Sequence, residues 1–294
     1  MKNISYLFFL VFTTACAQTT PKTNITKEFK AYWYSGKAEI TSYDLEQARY
    51  GEIRKGHAVN IFVTEPFSKK HNTKADEHHA DNISVLKLNA TKKFNTGIYP
   101  YSIMTSSFLP MNEPKASLKI SSSTQEWCGH EYIELVNEDD EFEMSNFSYF
   151  QGESFQEKEI DKEVVLEDDI WSKIRLTPEN LPQGNFKSLP SFVYLRFSHK
   201  DVKAYQAEGK TIKGKMSSVY ELKYPTLNRT LKITFENEFP YQILGWTDIY
   251  KSGWGAKAKT LTTKATLKKS LNIAYWQKNS NVDLYLRKEL GLEY

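Results

Sequence analysis

Cysteine is nearly missing from this chain: Cys16 and Cys128 are the only two in 294 residues, too few for a disulfide framework. Proline (10) and glycine (13) are sparse as well, which excludes a collagen-like or low-complexity protein. A hydrophobic share of 40% against 26% charged residues excludes wholesale disorder. The net charge of +3 is too close to balance for a nucleic-acid binder. Acid is missing locally instead. From Ile249 to Val282 there are seven lysines and no carboxylate, whereas Glu138 to Asp169 carries thirteen acidic residues against Lys158 and Lys162. The lysine-rich stretch reads first as a solvated face, or one opposite the acidic segment, and more sharply as a contact for anionic headgroups.

Complete catalytic motifs are absent too. Gly209 to Lys215 nearly spells a phosphate-binding loop, but Met216 replaces the hydroxyl residue and a strand-like run follows. Gly152-Glu153-Ser154-Phe155-Gln156 lacks the second glycine of a nucleophile elbow. His130-Glu131-Tyr132-Ile133-Glu134 has Glu where a zinc protease needs its second His.

What is present begins with an address. After Lys2, Ile4 to Phe12 form an apolar run, then Thr13-Thr14-Ala15 and Cys16. Such a run is shorter than the ~20 residues of a membrane span and fits a signal-peptide core. Two cleavage readings compete. In one, residues 1–16 are a signal and lipobox region and Cys16 is lipidated. In the other, Ala15-Cys16-Ala17 is an ordinary cleavage site and the chain starts at Gln18. Both export the protein to the cell envelope, either periplasmic or anchored to the outer membrane, and the first makes the membrane a partner through a lipid anchor. Residues 17–27 read as a polar tether.

Residues 28–294 read as mainly β. Val59, Ile61 and Val63 share a face, as do Leu86, Leu88 and Ala90; Leu118 and Ile120; Val193, Leu195 and Phe197; and Leu231, Ile233 and Phe235. Leu261, Thr263, Ala265 and Leu267 alternate with Lys264, Thr266 and Lys268. This period-two pattern predicts antiparallel strands with one buried face. Turn signals fall at 54–56, 95–97, 112–114 and 251–253. The expected fold is a large curved antiparallel sheet, barrel-like or a sandwich, with one or two short helices. One helix is expected near Asp168-Asp169, carrying Ile170, Trp171 and Ile174 and stopping before Pro178; the other spans about 282–290 with Gly291 as terminator. Two halves, 28–136 and 185–276, joined by the acidic segment, are an alternative to one continuous sheet.

Site candidates are few. On a strand, Cys128 and His130 would share a face and could share a metal or a proton. A buried, structural cysteine is the commoner case. His71, His78, His79 and Asp81 cluster in a polar loop that suits adventitious Zn²⁺ or Ni²⁺ at most. No cofactor is implied. The 41 aromatic residues (17 Phe, 18 Tyr and 6 Trp) exceed what strands need to cover one another, which suggests a ring-lined concavity.

The stretches Ala31 to Glu39, Leu45 to Gly51 and Ser121 to His130 resemble a family of uncharacterised exported proteins of flavobacteria and their relatives. Some members are labelled septum formation inhibitor Maf, a label without support here, because the serine- and arginine-rich loop of true Maf pyrophosphatases is missing. The resemblance implies export and brings no activity. The leading expectation is an envelope lipoprotein that binds or carries an apolar, lipid-like or amphipathic ligand. An envelope scaffold and an enzyme centred on Cys128 and His130 are the alternatives.

Overall fold

The alternating runs become strands of one sheet. A computed structural model of the protein describes residues 22–292. Helix α1 (Lys27–Trp33) precedes β1 (Ala38–Arg49), β2 (Glu52–Ser68), the short β3 (Thr73–Lys74) and β4 (Ile83–Thr96). Next come β5 (Tyr99–Pro110), β6 (Lys119–Glu126), β7 (Gly129–Asn137), β8 (Glu141–Ser148) and β9 (Gln156–Asp161). The middle holds β10 (Val165–Leu166), α2 (Glu167–Leu176), β11 (Gly184–Leu189) and α3 (Phe192–Ser198). The remainder supplies β12 (Tyr205–Lys213), β13 (Ser217–Tyr224), β14 (Arg229–Glu236), β15 (Ile243–Ser252), β16 (Lys259–Ile273) and α4 (Tyr285–Glu289).

The sheet runs from β10 through β16, continues as β1 and β2, and ends with β4 to β9. β16 pairs with β1, Ala38 opposite Ile273, so strands from residues 28–136 and 185–276 share one sheet. The acidic segment adds β8, β9 and β10. The only parallel ladder among the described strands is β10–β11, two residue pairs long. The fold is mainly β, a large curved open antiparallel sheet with short helices, as the alternation predicts. Curvature follows from one helix. α2 reaches Glu39 on β1, Ser117 just before β6 and Arg229 on β14, strands far apart along the sheet, so the sheet must wrap around it.

The concave side holds the main core, with Tyr43, Phe62, Leu86, Ile103, Ile174 and Ile233 among its members. Leu86, Leu88 and Ala90 face it, as do Leu231, Ile233 and Phe235, while Lys264, Thr266 and Lys268 on β16 stay exposed. Both helices expected from sequence form. α2 carries Ile170 and Ile174 inward ahead of Pro178, and α4 is closed by Gly291 at φ +65°.

Three expectations are corrected. Val193, Leu195 and Phe197 are helical, not extended: Ser191 caps α3 by accepting from Tyr194 N at 3.3 Å, and the unbroken apolar run Phe192 to Leu195 suits a largely buried helix as well as a strand. The inward face of β2 carries Ala58 and Phe62. Val59 and Ile61 point outward, where they are covered by Leu290 and Leu292 of the C-terminal segment in a second, smaller core. The signal at 54–56 marks no turn. The chain reverses at Tyr50 and Gly51, both at positive φ, and Gly56 lies within β2. α1, capped by Thr26, is a further helix where a tether is expected to end.

Gly56 is required by close approach, because a Cβ there would lie 2.1 Å from the Lys93 carbonyl oxygen on β4. Gly56→Ala should therefore push β2 from β4 and cost about 1–3 kcal/mol in denaturant unfolding. Gly152→Ala, with nothing within 4 Å of its added methyl, should change stability by less than about 0.5 kcal/mol.

Candidate functional site

Three of the inward-facing runs carry a charge. On β4, Leu86, Leu88 and Ala90 are continued by Lys92 before Phe94. On β14, Arg229 precedes Leu231. On β15, Asp248 stands between Trp246 and Tyr250. The pleat sends each of these side chains inside. α2 brings Glu167 and Asp168, from its first turn, to the same place.

Arg229 is the organising group. Its two terminal nitrogens each donate to Glu167 at 2.7 Å, while Nε and Nη2 donate to Asp248 at 2.8 and 2.9 Å. Tyr224 adds a hydroxyl to Glu167 at 2.8 Å, and the Tyr194 ring stacks 4.0 Å from the guanidinium. Burial alone would pull a proton off Arg229, but the two carboxylates outweigh it and hold the guanidinium firmly charged. Asp248 is nonetheless pushed up by burial despite its partner.

Beside this matched cluster lies a cavity of about 60 Å³. One wall is apolar, with Leu88, Ile103, Val193 and Leu231; another is ringed, with Trp171 and Trp246 packed edge to face at 5.1 Å. Four polar groups reach it with little or no protein partner. Lys92 makes no hydrogen bond or ion pair. Asp168 accepts only a long bond, 3.4 Å, from Phe192 N. Asn60 Nδ2 and Ser107 Oγ, in side chains only 2% and 1% exposed, find no partner. Buried donors and acceptors left unmatched are costly, so this is a place built to receive a polar group. Burial, reinforced by Glu167, pushes the Asp168 carboxyl up to about 7, and burial pushes the Lys92 ammonium down.

The residues named from sequence lie elsewhere. Trp127 and Cys128 form the turn between β6 and β7, so the expected strand through Cys128 and His130, with both on one face, is corrected: the hairpin reverses between them. Cys128 is exposed rather than buried. Its thiol is pushed up by the Glu126 carboxylate, the opposite of what activates a thiolate. His130 is exposed on β7. His71, His78, His79 and Asp81 are exposed in the loop between β2 and β4, and no group of three or more potential metal ligands converges among the described residues. Cys16 lies outside the described residues. Lys92, Arg229 and Asp248 were missed, though each continues or interrupts an alternating apolar run at an inward position.

No family model matches the chain, and no curated protein does. Among solved structures it is similar to a β-barrel-like protein of domain of unknown function DUF1849 from Brucella abortus. The TM-score is 0.40 and the identity 8%, over 80% of this chain and 98% of that one, a likeness too loose to transfer a site.

Two outcomes follow. Asp168 keeps its proton in the folded state up to about pH 7 but loses it near pH 4 when unfolded, so it costs stability as pH rises through that window. Asp168→Asn should therefore stabilise the fold at pH 8, by up to about 4 kcal/mol, and make no difference below pH 4, in denaturation curves taken across pH. Cys128, being exposed, should react fully with a thiol reagent in the native state, with only a modest acceleration on unfolding as the Glu126 carboxylate is removed from the thiol.

Proposed function

We propose that this is an exported envelope protein, tethered through Cys16, in which the space between the curved sheet and α2 binds a small amphipathic ligand with a carboxylate head. The observation that carries this reading is the set of unmatched polar groups, Lys92, Asn60 and Ser107, facing a cavity whose other walls are apolar and aromatic. A carboxylate entering there would accept from the Lys92 ammonium and the Asn60 amide, while Asp168, protonated near neutrality, can donate. Its short hydrocarbon part would lie against Leu88, Ile103 and Leu231.

Size narrows the ligand. A single water needs ~10–15 Å³ by this kind of measure, and a benzene-binding cavity is ~150 Å³. At about 60 Å³ the cavity suits a few non-hydrogen atoms, not a long acyl chain. At no more than about 1.5 kcal/mol per atom, four to six atoms give a ceiling near 6–9 kcal/mol, a few tenths of a micromolar at best. The apolar-ligand expectation becomes a short-chain acid.

A second reading uses the same cavity for acid–base chemistry, because a carboxyl poised near pH 7 faces a lysine held low. Cys128 and His130 would play no part in it.

Calorimetric titration with acetate, propionate and butyrate tests the binding reading. Saturable binding should appear for at least one acid and fall more than tenfold in Lys92→Met, which keeps the volume but removes the charge. The corresponding amides should not bind. Equal binding by Lys92→Met and the native chain would overturn the site, and consumption of the acid during titration would favour the enzyme.

A further inference from the structure

Several large exposed side chains of this protein lie at one end of the sheet, while Tyr34 and Trp276 are exposed near the other. Antiparallel neighbours reverse at each hairpin, so the turns after β1, β4, β6, β8 and β15 all lie at one rim. Its tips carry Ile98 (84% exposed), Trp127 (67%), Tyr149 (76%), Phe155 (56%) and Trp254 (55%), side chains that globular proteins seldom display together. Three of them rest on neighbours at the rim. Trp254 packs on Tyr50 at 5.2 Å and on His199 at 5.3 Å, Trp127 lies 6.4 Å from Tyr99, and Tyr149 covers Gly129.

Most acids at the same rim are answered: Glu52 by Arg54, Glu153 by Arg196 and His199, and Asp201 by Lys203; Glu126, which accepts from the Cys128 amide, and Glu157 have no cation partner. Lys251, Lys257 and Lys259, which flank Trp254 on the β15–β16 hairpin, are exposed and paired with no carboxylate, as is Lys200 beside His199. Rings at tips with unneutralised lysines around them match the interface of a bilayer, where tryptophan and tyrosine settle at headgroup depth and lysine meets anionic lipid.

We infer that this rim docks on an anionic phospholipid bilayer, with Trp254 and Trp127 at the interface and Lys251, Lys257 and Lys259 on the headgroups. The contact is independent of the interior cavity. It does not share a bilayer with the proposed Cys16 tether: the Thr23 amide donates to the Asn112 carbonyl beyond the end of β5, at the opposite rim, so the two contacts would meet different membrane surfaces.

The test uses the chain from Gln18 onward, which lacks Cys16 and contains every described element. Sedimentation with phosphatidylcholine vesicles, with and without phosphatidylglycerol, reports the partition coefficient. Brominated lipid reports which tryptophans reach the interface, since Trp33 and Trp246 are buried and should not be quenched. The chain should bind phosphatidylglycerol vesicles, release as salt is raised, and show quenching that is lost in Trp254→Phe/Trp127→Phe. Replacing Lys251, Lys257 and Lys259 together by Gln should lower partitioning on the order of a hundredfold, roughly fivefold per lysine, without unfolding the protein because none has a partner to lose. The inference fails if the native chain ignores phosphatidylglycerol vesicles at low salt or binds neutral vesicles equally. It fails equally if the triple lysine variant partitions like the native chain, or if the rim is found to hold a protein, or a second copy of this chain, and no lipid.

Discussion

Two buried arginine–carboxylate pairs hold helix α2 inside the sheet, and the rest of the structure is arranged around that constraint. At the helix start Glu167 receives both terminal nitrogens of Arg229 from β14. At its end Arg175 gives both of its own to Glu39 on β1, at 2.5 and 2.6 Å. The orientation suits the helix dipole, an acid in the first turn and a base in the last. Phe62 and Trp33 flank the Arg175 guanidinium at 4.8 and 5.2 Å, its Nε donates to the Pro240 carbonyl, and Tyr32 donates to Glu39. Burial would raise the Glu39 carboxyl, yet Arg175 overrides it and keeps the group below the usual carboxylate range.

Such pairs need not add net stability, since desolvation of both ions offsets most of the attraction. Their effect is positional. Removing one partner strands a buried charge at a cost of about 3–5 kcal/mol, so any placement of α2 that fails to match both ends is heavily disfavoured. A third link works from another face of the first turn: Asp169 accepts from the amide and hydroxyl of Ser117 at 2.9 and 2.5 Å. With the helix fixed at three points to β1, β14 and the approach to β6, the sheet must curve around it.

The cavity is a consequence of this geometry. Arg229 has two carboxylate partners, Glu167 and Asp248, and these use up its donors. Asp168, next along the helix, is turned toward Lys92 instead but does not reach it. Charges that could neutralise one another are thus kept apart across a small space with apolar and ring walls. The same economy of partners does not extend to the rim, where rings and lysines remain outside any core. Interior and rim are separate chemical regions, linked only through the strands that end at one and line the other.

The sequence by itself determined that the chain is mainly β, because period-two alternation is a local consequence of the pleat and survives without knowledge of partners. It also placed α2 and the C-terminal helix, whose stops, Pro178 and Gly291, act within a turn of the helix end. It did not determine which face of β2 is inward, since both faces are apolar and only the docked C-terminal segment separates them. Nor could it distinguish α3 from a strand, because a short, largely buried helix with Arg196 as its one charged residue leaves too little of a polar side to show its period. The candidate site was partly legible: Lys92, Arg229 and Asp248 each stand at an inward position of an alternating run, where a charge is out of place. Their convergence was not, since Lys92 and Asp248 are 156 positions apart (248 − 92) and meet only because α2 draws β4, β14 and β15 around itself. Cys128 was misjudged for a related reason: its neighbours read as strand, and the reversal at Trp127-Cys128 depends on how β6 and β7 pair. Alternation and helix stops are settled over a few residues; inward charge pairing is settled by which distant strands a helix can reach, and that belongs to the tertiary structure alone.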